Sequence, residues 1–269
     1  MSSLEASGPG RADVRVTVFG WAVLLALAAI AWVVTIRQAN GMDMGTGTMG
    51  LSLVAFLAVW VVMMAAMMFP SVAPVAILWT KSIQGRSSGA ARAGRMTSFV
   101  AGYLIAWAAY GVLAFVALDV VGNAVTDHPS WARWLGAGVF ALAAVSQLTP
   151  LKEMCLRHCR SPIGQLLHYG GYRGPTKDLR VGMHHGLFCV GCCWGLMVVL
   201  VAVGVMNIAV MAALAAIIAL EKLWRYGPQL ARVAGVAFIA LAVAVLFLPA
   251  LAPGLHVDTS MTSMSMALR

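Results

Sequence analysis

The stretch LSLVAFLAVWVVMMAAMMFPSVAPVAILW, residues 51–79, decides the class of this protein. It carries no charged side chain, and it is longer than the ~20 apolar residues that cross the hydrocarbon core of a bilayer as a helix. Pro70 and Pro74 fall inside it, so we expect this helix to tilt or bend. The stretch therefore predicts a transmembrane helix.

Six further apolar segments lie on either side of this run. They are residues 16–36, 97–118, 131–149, 185–203, 207–224 and 231–248. The first has no small-residue cleavage pattern after it, so we interpret it as a retained helix rather than a signal peptide. Asn207 follows a connection of only a few residues and is the predicted N-cap of the sixth helix. Together the seven segments predict an all-α fold, a polytopic transmembrane helix bundle of about seven spans.

The composition agrees with a lipid environment. Hydrophobic residues make up 61% of the chain and charged residues 10%, whereas soluble domains are roughly half apolar and a quarter charged. The net charge of +9 is carried by short loops between apolar runs, a pattern that orients membrane proteins rather than binding nucleic acid. We expect the lipid bilayer as a partner and no nucleic acid.

The positions of the basic residues predict the orientation. With seven spans, every Lys and Arg except Arg37, Arg133 and Arg269 falls on one side of the membrane. Short loops rich in Lys and Arg stay in the cytoplasm. We therefore predict a multi-pass protein of the inner (plasma) membrane, with its N-terminus in the cytoplasm and its C-terminus outside.

The same pattern predicts the domain organisation. Residues 1–15 are expected to form a cytoplasmic tail, residues 16–250 a single transmembrane helical domain, and residues 251–269 a Met-rich outer tail. Within the longest inner loop, residues 151–169 are predicted to form a short amphipathic helix on the inner membrane face.

The cysteines are the first candidates for chemistry. Their spacing places Cys189, Cys192 and Cys193 near one face of the fifth predicted span, with His185 one turn before them. Cys155 and Cys159 repeat the four-residue spacing in the inner loop. The reducing cytosol disfavours structural disulfides here, and thiolate and imidazole ligands suit copper(I) or zinc. The alternative is that these cysteines are small apolar packing residues.

Methionine forms a second sulfur cluster. Met63, Met64, Met67 and Met68 precede Pro70 on two adjacent faces of one helix. Thioethers select soft metals, above all copper(I), whereas the alternative is again packing. This cluster and the cysteines of the fifth span are predicted at similar depths in the bilayer, so the two helices could face each other and share one site.

Two polar segments on the predicted outer side are also rich in methionine. Their methionines are Met42, Met44, Met49, Met261, Met264 and Met266. Packing explains methionine poorly in such segments, which favours metal collection outside the membrane.

Two other features have ordinary structural interpretations. Glu221 and Lys222 close the sixth predicted span, where Arg225 could pair with Glu221 at the interface. Gly191 and Gly195 form a G-x-x-x-G spacing that is typical of close helix packing. No nucleotide-binding or hydrolase motif occurs in the sequence, and we predict no catalytic residue.

Three groups of residues resemble the hallmarks of a known family. The first is WVVMMAAMMFP at residues 60–70, and the second is QLTPLK at residues 147–152 with Cys155, Cys159, Arg160 and Pro162. The third comprises His184, His185 and Gly186, then Cys189, residues 191–194, Met197, Met206, Asn207, Glu221 and Lys222. The chain resembles a bacterial family of predicted metal-binding integral membrane proteins, domain of unknown function 2182, over about residues 51–248. The resemblance implies a multi-helix membrane protein with a metal site and no established activity.

The sequence therefore predicts a membrane protein that binds and handles a soft metal, copper(I), with zinc as the alternative metal. The expected ligands are Met63, Met64, Met67, Met68, Cys155, Cys159, His184, His185, Cys189, Cys192 and Cys193. A metal donor or acceptor protein is the expected partner. Two alternatives stay open: a membrane thiol–disulfide redox protein, and a metal-free membrane scaffold or assembly factor.

Overall fold

The computed structural model describes residues 11–41, 47–48, 50–83, 89–161, 164 and 168–255. Within these residues the chain forms α-helices joined by short connections, and no β-strand occurs. The helices are α1 (Arg11–Gly41), α2 (Leu53–Ile83), α3 (Gly89–Asp127), α4 (Ala132–Leu148), α5 (Pro150–Arg160), α6 (Lys177–Val203), α7 (Ile208–Leu223) and α8 (Gly227–Phe247). Single 3₁₀ turns lie at Pro129–Trp131, Pro249–Leu251 and Pro253–Leu255. The prediction of an all-α bundle is confirmed.

All seven predicted segments are helical, and most of them could cross a membrane. Five helical stretches are long and apolar enough to do so: Thr17–Asn40, Leu53–Ile83, Gly89–Asp127, Lys177–Val203 and Gly227–Phe247. A sixth candidate is the pair Pro129–Leu148 and Pro150–Arg160, which bends by 60°. The remaining helix, α7, has 16 residues. The described helices therefore support five or six spans of full length, and the orientation of the termini stays a prediction.

Several helices extend beyond the apolar runs. Helix α3 begins at Gly89 and ends at Asp127, and α6 begins at Lys177, although residues 97–118 and 185–203 were the predicted spans. The predicted surface helix at 151–169 ends at Arg160, and its buried face packs against α6 and α7. An apolar run identifies only the part of a helix that can lie in lipid. Backbone hydrogen bonds can extend the same helix into polar residues on either side.

Small residues allow the central helices to touch. A methyl group added at Gly102 of α3 would collide with the Leu179 carbonyl of α6, and one at Gly182 with the Phe99 carbonyl. Such close approach is the usual way in which helices associate in lipid. The other long helix pairs are α1 with α2 and α4 with α8. The α6–α7 connection is tight, as predicted: the Asn207 side chain accepts a hydrogen bond from Val210 N at 3.1 Å and caps α7.

Ionic contacts gather at one end of the bundle, which we call the ionic end. Arg95 of α3 forms two hydrogen bonds with the Asp178 carboxylate of α6, at 2.9 and 3.1 Å. Lys152 of α5 forms a buried pair with Glu221 of α7 at 2.8 Å. Removing one partner of such a buried pair costs about 3–5 kcal/mol. These contacts fix the end of the bundle at which α5 packs against α6.

Candidate functional site

The three cysteines of α6 point into the protein. Cys189, Cys192 and Cys193 are buried at 0%, 3% and 1% exposure, as their helical spacing predicts. The two glycines between and after them let neighbouring helices approach. The Gly191 backbone faces the Cys155 thiol of α5, and the Gly195 backbone faces Ser146 of α4. Close packing at these glycines therefore brings polar and sulfur-containing side chains around the thiols.

Cys189 lies among polar groups from three other helices. Its Sγ is 3.0 Å from Tyr103 Oη of α3, and it accepts a hydrogen bond from Lys222 Nζ of α7 at 2.9 Å. Lys222 also reaches Ser71 Oγ of α2 at 3.4 Å. An ammonium group beside sulfur favours the thiolate, the form that binds metals. The environment of Cys189 is therefore suited to an anionic ligand.

The other thiols form a chain from α6 to α5. Cys192 Sγ lies 3.3 Å from Cys193 Sγ and 3.9 Å from Cys159 Sγ. Cys192 also donates to the Cys189 carbonyl at 3.2 Å. All five cysteines are free thiols. We use the name thiol cluster for Cys159, Cys189, Cys192 and Cys193, which bring four sulfur atoms from two helices into one buried region.

Lys222 was misinterpreted from the sequence. We expected Glu221 and Lys222 to be interfacial, with Arg225 as the partner of Glu221, but both side chains are buried. Glu221 instead pairs with Lys152 and accepts a hydrogen bond from Gln147 Nε2 at 3.0 Å. Consecutive residues of a helix point in different directions, so Glu221 faces α4 and α5 while Lys222 faces the thiol cluster.

His185 lies deep in the same region. It is 2% exposed, and its ring is 6.1 Å from the Tyr103 ring, centre to centre. Its Nδ1 atom has no hydrogen-bond partner among the described residues. Buried polar atoms are nearly always paired, so this nitrogen is available to a ligand.

The four methionines of α2 have different surroundings. Met63, Met64, Met67 and Met68 are completely buried within the hydrophobic core. Helix α2 does contact α6, because Trp79 Nε1 donates to Asp178 Oδ1 at 3.0 Å. Its link to the thiol cluster runs through Ser71 and Lys222. The structure thus brings α2 beside the cysteine helix, while a shared site remains a proposal.

A histidine cluster is formed by residues of α5, of α6 and of the connection between them. It consists of His158 of α5, His168 in the connection before α6, and His184 of α6. The ring centres of His168 and His184 are 5.0 Å apart, and those of His158 and His184 are 5.9 Å apart. Only His184 was a predicted ligand. His168 has no neighbouring cysteine or histidine in the sequence, so spacing gave no signal for it.

The conformation described here does not itself form a complete metal cage. Among the described residues, no group of three or more His, Cys, Asp or Glu side chains is arranged to hold a metal ion. The outer methionines lie outside the described residues: they are Met42, Met44, Met49, Met261, Met264 and Met266.

The fold and the site define a helical protein with several potential membrane spans and buried thiols beside a cation. The chain belongs to the family PpoB2, described as "Copper chaperone", whose sequence pattern it matches over residues 57–245. This matched range nearly coincides with residues 51–248, over which the motifs resemble domain of unknown function 2182. The descriptions of the two families differ. No curated protein and no solved structure matches the chain.

Proposed function

We propose that this protein is a membrane copper chaperone that binds copper(I) at the thiol cluster and passes it on. The observation that carries the proposal is the convergence of four buried thiols beside Lys222. Family membership supports copper as the cargo. Thiolate and thioether ligands select copper(I) over harder cations.

The spacing of the thiols supports metal binding. A metal–sulfur distance of about 2.3 Å separates two sulfur ligands of a tetrahedral ion by roughly 3.8 Å. Cys159 Sγ and Cys192 Sγ are 3.9 Å apart. Copper(I) needs fewer soft ligands than the four of a structural zinc ion, so this pair can receive it together with one further thiol, from Cys189 or Cys193. His185 and the methionines of α2 remain proposed additional ligands.

The charge of Lys222 favours a monovalent cargo. Copper(I) bound by two thiolates, one of them Cys189, has one net negative charge, which the Lys222 ammonium group at 2.9 Å from Cys189 Sγ compensates. Zinc bound by two thiolates is neutral, so Lys222 would then remain an uncompensated buried cation. Buried charges without partners cost several kcal/mol each. We therefore propose copper(I) rather than zinc as the cargo.

The route of the metal follows from the predicted topology. The outer methionines would gather copper outside, and the thiol cluster would hold it near the ionic end. Cys155 would serve as a second thiol on α5, since it lies against the Gly191 backbone. The orientation rests on the basic loops, which place the ionic end in the cytoplasm. A metal donor or acceptor protein is the proposed partner there.

A redox function is the second candidate, because Cys159 and Cys192 are close. In thiol–disulfide exchange, their two sulfur atoms would join and give up two electrons and two protons. A disulfide of a partner protein would accept them and become two thiols. The neighbouring ammonium group would assist either function, because it favours the thiolate, and it is the family match that favours copper binding.

Metal analysis of the purified full-length protein tests the proposal. After anaerobic loading with copper(I) and removal of excess metal, we expect stoichiometric copper and thiols that resist alkylation. Alkylation of the metal-free sample is the matched control, and it should modify the thiols more readily. Paired thiols without copper would support the redox function, and neither copper nor disulfide would support a scaffold.

A further inference from the structure

The histidine cluster is more exposed than the thiol cluster. His168 is exposed, whereas His158 and His184 are half-buried. His158 directly precedes Cys159, and Cys159 Sγ lies 3.9 Å from Cys192 Sγ. Helix α5 therefore carries one member of the histidine cluster and one member of the thiol cluster at adjacent positions.

The ring separations suit a shared ion. With metal–nitrogen distances of about 2.0–2.1 Å, imidazoles around one tetrahedral ion have ring centres roughly 5 Å apart. The three separations in the cluster are 5.0, 5.9 and 6.4 Å. The donor atoms do not converge in the conformation described here. Ring rotations are needed for all three to bind, and they are freest for His168, the exposed member of the cluster.

Neighbouring aromatic residues prepare the cluster. His184 Nδ1 is 3.5 Å from Tyr169 Oη, and this contact leaves Nε2 for a metal. A hydrogen bond to the other ring nitrogen is the usual way in which a ligating histidine is oriented. The His158 ring stacks on Phe188 at 3.9 Å, which restricts its position.

We infer that His158, His168 and His184 form a transfer site at which copper(I) pauses on its way between water and the thiol cluster. This inference rests on the proposed function and adds the entry or exit point for the metal. Copper leaves imidazole nitrogen and bonds to Cys159 sulfur. The thiol proton passes to the imidazole that the metal vacates, so no oxidant or reductant is required.

The site matches a transient role better than a storage role. Imidazole is a borderline ligand that also suits other metals, whereas thiolate selects copper(I). Copper should therefore move from the histidines to the sulfur atoms and remain there at equilibrium. Removal of the histidines should change the rate of loading, while the amount of copper that is finally bound should stay the same.

Loading kinetics with copper(I) from a bicinchoninate complex test the inference on the full-length protein. We expect His168→Ala and His184→Gln to slow loading by about tenfold or more, with the same final copper content. His128→Ala is the matched control, because His128 is an exposed histidine stacked on Trp131, beyond the C-terminal end of α3. It should load at the parent rate.

The outcomes separate the two proposals. Parent loading rates in both histidine variants, with normal copper content, would overturn the transfer site and leave the proposed function standing. A parent protein that binds no copper would overturn both. As a second measurement, X-ray absorption of the copper-loaded Cys159→Ser variant should show histidine nitrogen ligands. In this variant copper cannot move from the histidines to the Cys159 sulfur atom. A sulfur-only shell in that variant would contradict the inference.

Discussion

The two sulfur clusters of this protein have the same burial and different surroundings. The thiols of α6 contact a hydroxyl group, an ammonium group and the Cys159 thiol of another helix. The methionines of α2 belong to the same buried core, but among the described residues their sulfur atoms have no hydrogen-bond partner. Burial within a helix therefore does not by itself distinguish a metal-binding sulfur atom from one that only fills the core. The polar partners support the thiol cluster as the proposed site, because polar groups are retained inside a membrane protein only at a cost.

The first prediction has the largest expected effect. Replacement of both Cys189 and Cys193 by Ser should abolish copper(I) binding, since it removes two of the four sulfur ligands. A competition titration against a copper(I) chelator measures the loss, and far-ultraviolet circular dichroism checks the fold. If the double variant binds as many copper ions as the parent protein, the thiol cluster is not the copper-binding site.

The second prediction concerns the cation. Lys222→Met should weaken copper(I) binding on the order of tenfold, or ~1.4 kcal/mol, because the negative copper–dithiolate group loses its compensating charge. Zinc binding should strengthen in the same variant. Lys222→Arg is the charge-conserving control and should stay closer to the parent. Equal changes for both metals would show that Lys222 acts only through packing.

The third prediction sharpens the contrast between the clusters. Replacement of Met63, Met64, Met67 and Met68 by Leu should leave the fold intact, since Leu and Met have similar volumes. We expect copper affinity to fall by less than tenfold, because thioethers would add to a site that the thiols already define. A loss as complete as that of the double cysteine variant would make the methionines the principal ligands.

The smallest effect is expected outside the membrane. Replacement of the six outer methionines by Leu should slow loading at low external copper, and excess copper should restore it. A collecting segment raises the local metal concentration without forming the final site. Loading is measured against copper concentration, and superimposable curves for variant and parent would exclude a collecting role. The six are Met42, Met44, Met49, Met261, Met264 and Met266.

The sequence predicts the helices of this fold well and their ends less well. Long apolar runs and the Asn207 cap were sufficient to place helices where the structure has them. Helix α6 begins at Lys177, well before its apolar run, because charged residues also form helix. Which faces meet could not be predicted, since lipid-facing and protein-facing surfaces are both apolar.

The site was predicted in part. Helical spacing identified Cys189, Cys192 and Cys193 as one group, and the structure places Cys159 beside them. Lys222 and His168 were missed because their roles depend on contacts between distant segments. Lys222 meets Cys189 across the α6–α7 hairpin, and His168 meets His184 across the connection before α6. A single sequence contains no signal for such pairs.

X-ray absorption at the copper edge of the loaded parent protein tests the central claim most directly. We predict copper(I) with a first shell of two or three sulfur atoms at about 2.2–2.3 Å, which the thiol cluster would supply. A first shell of nitrogen or oxygen atoms, or a protein that retains no copper after desalting, would contradict the account.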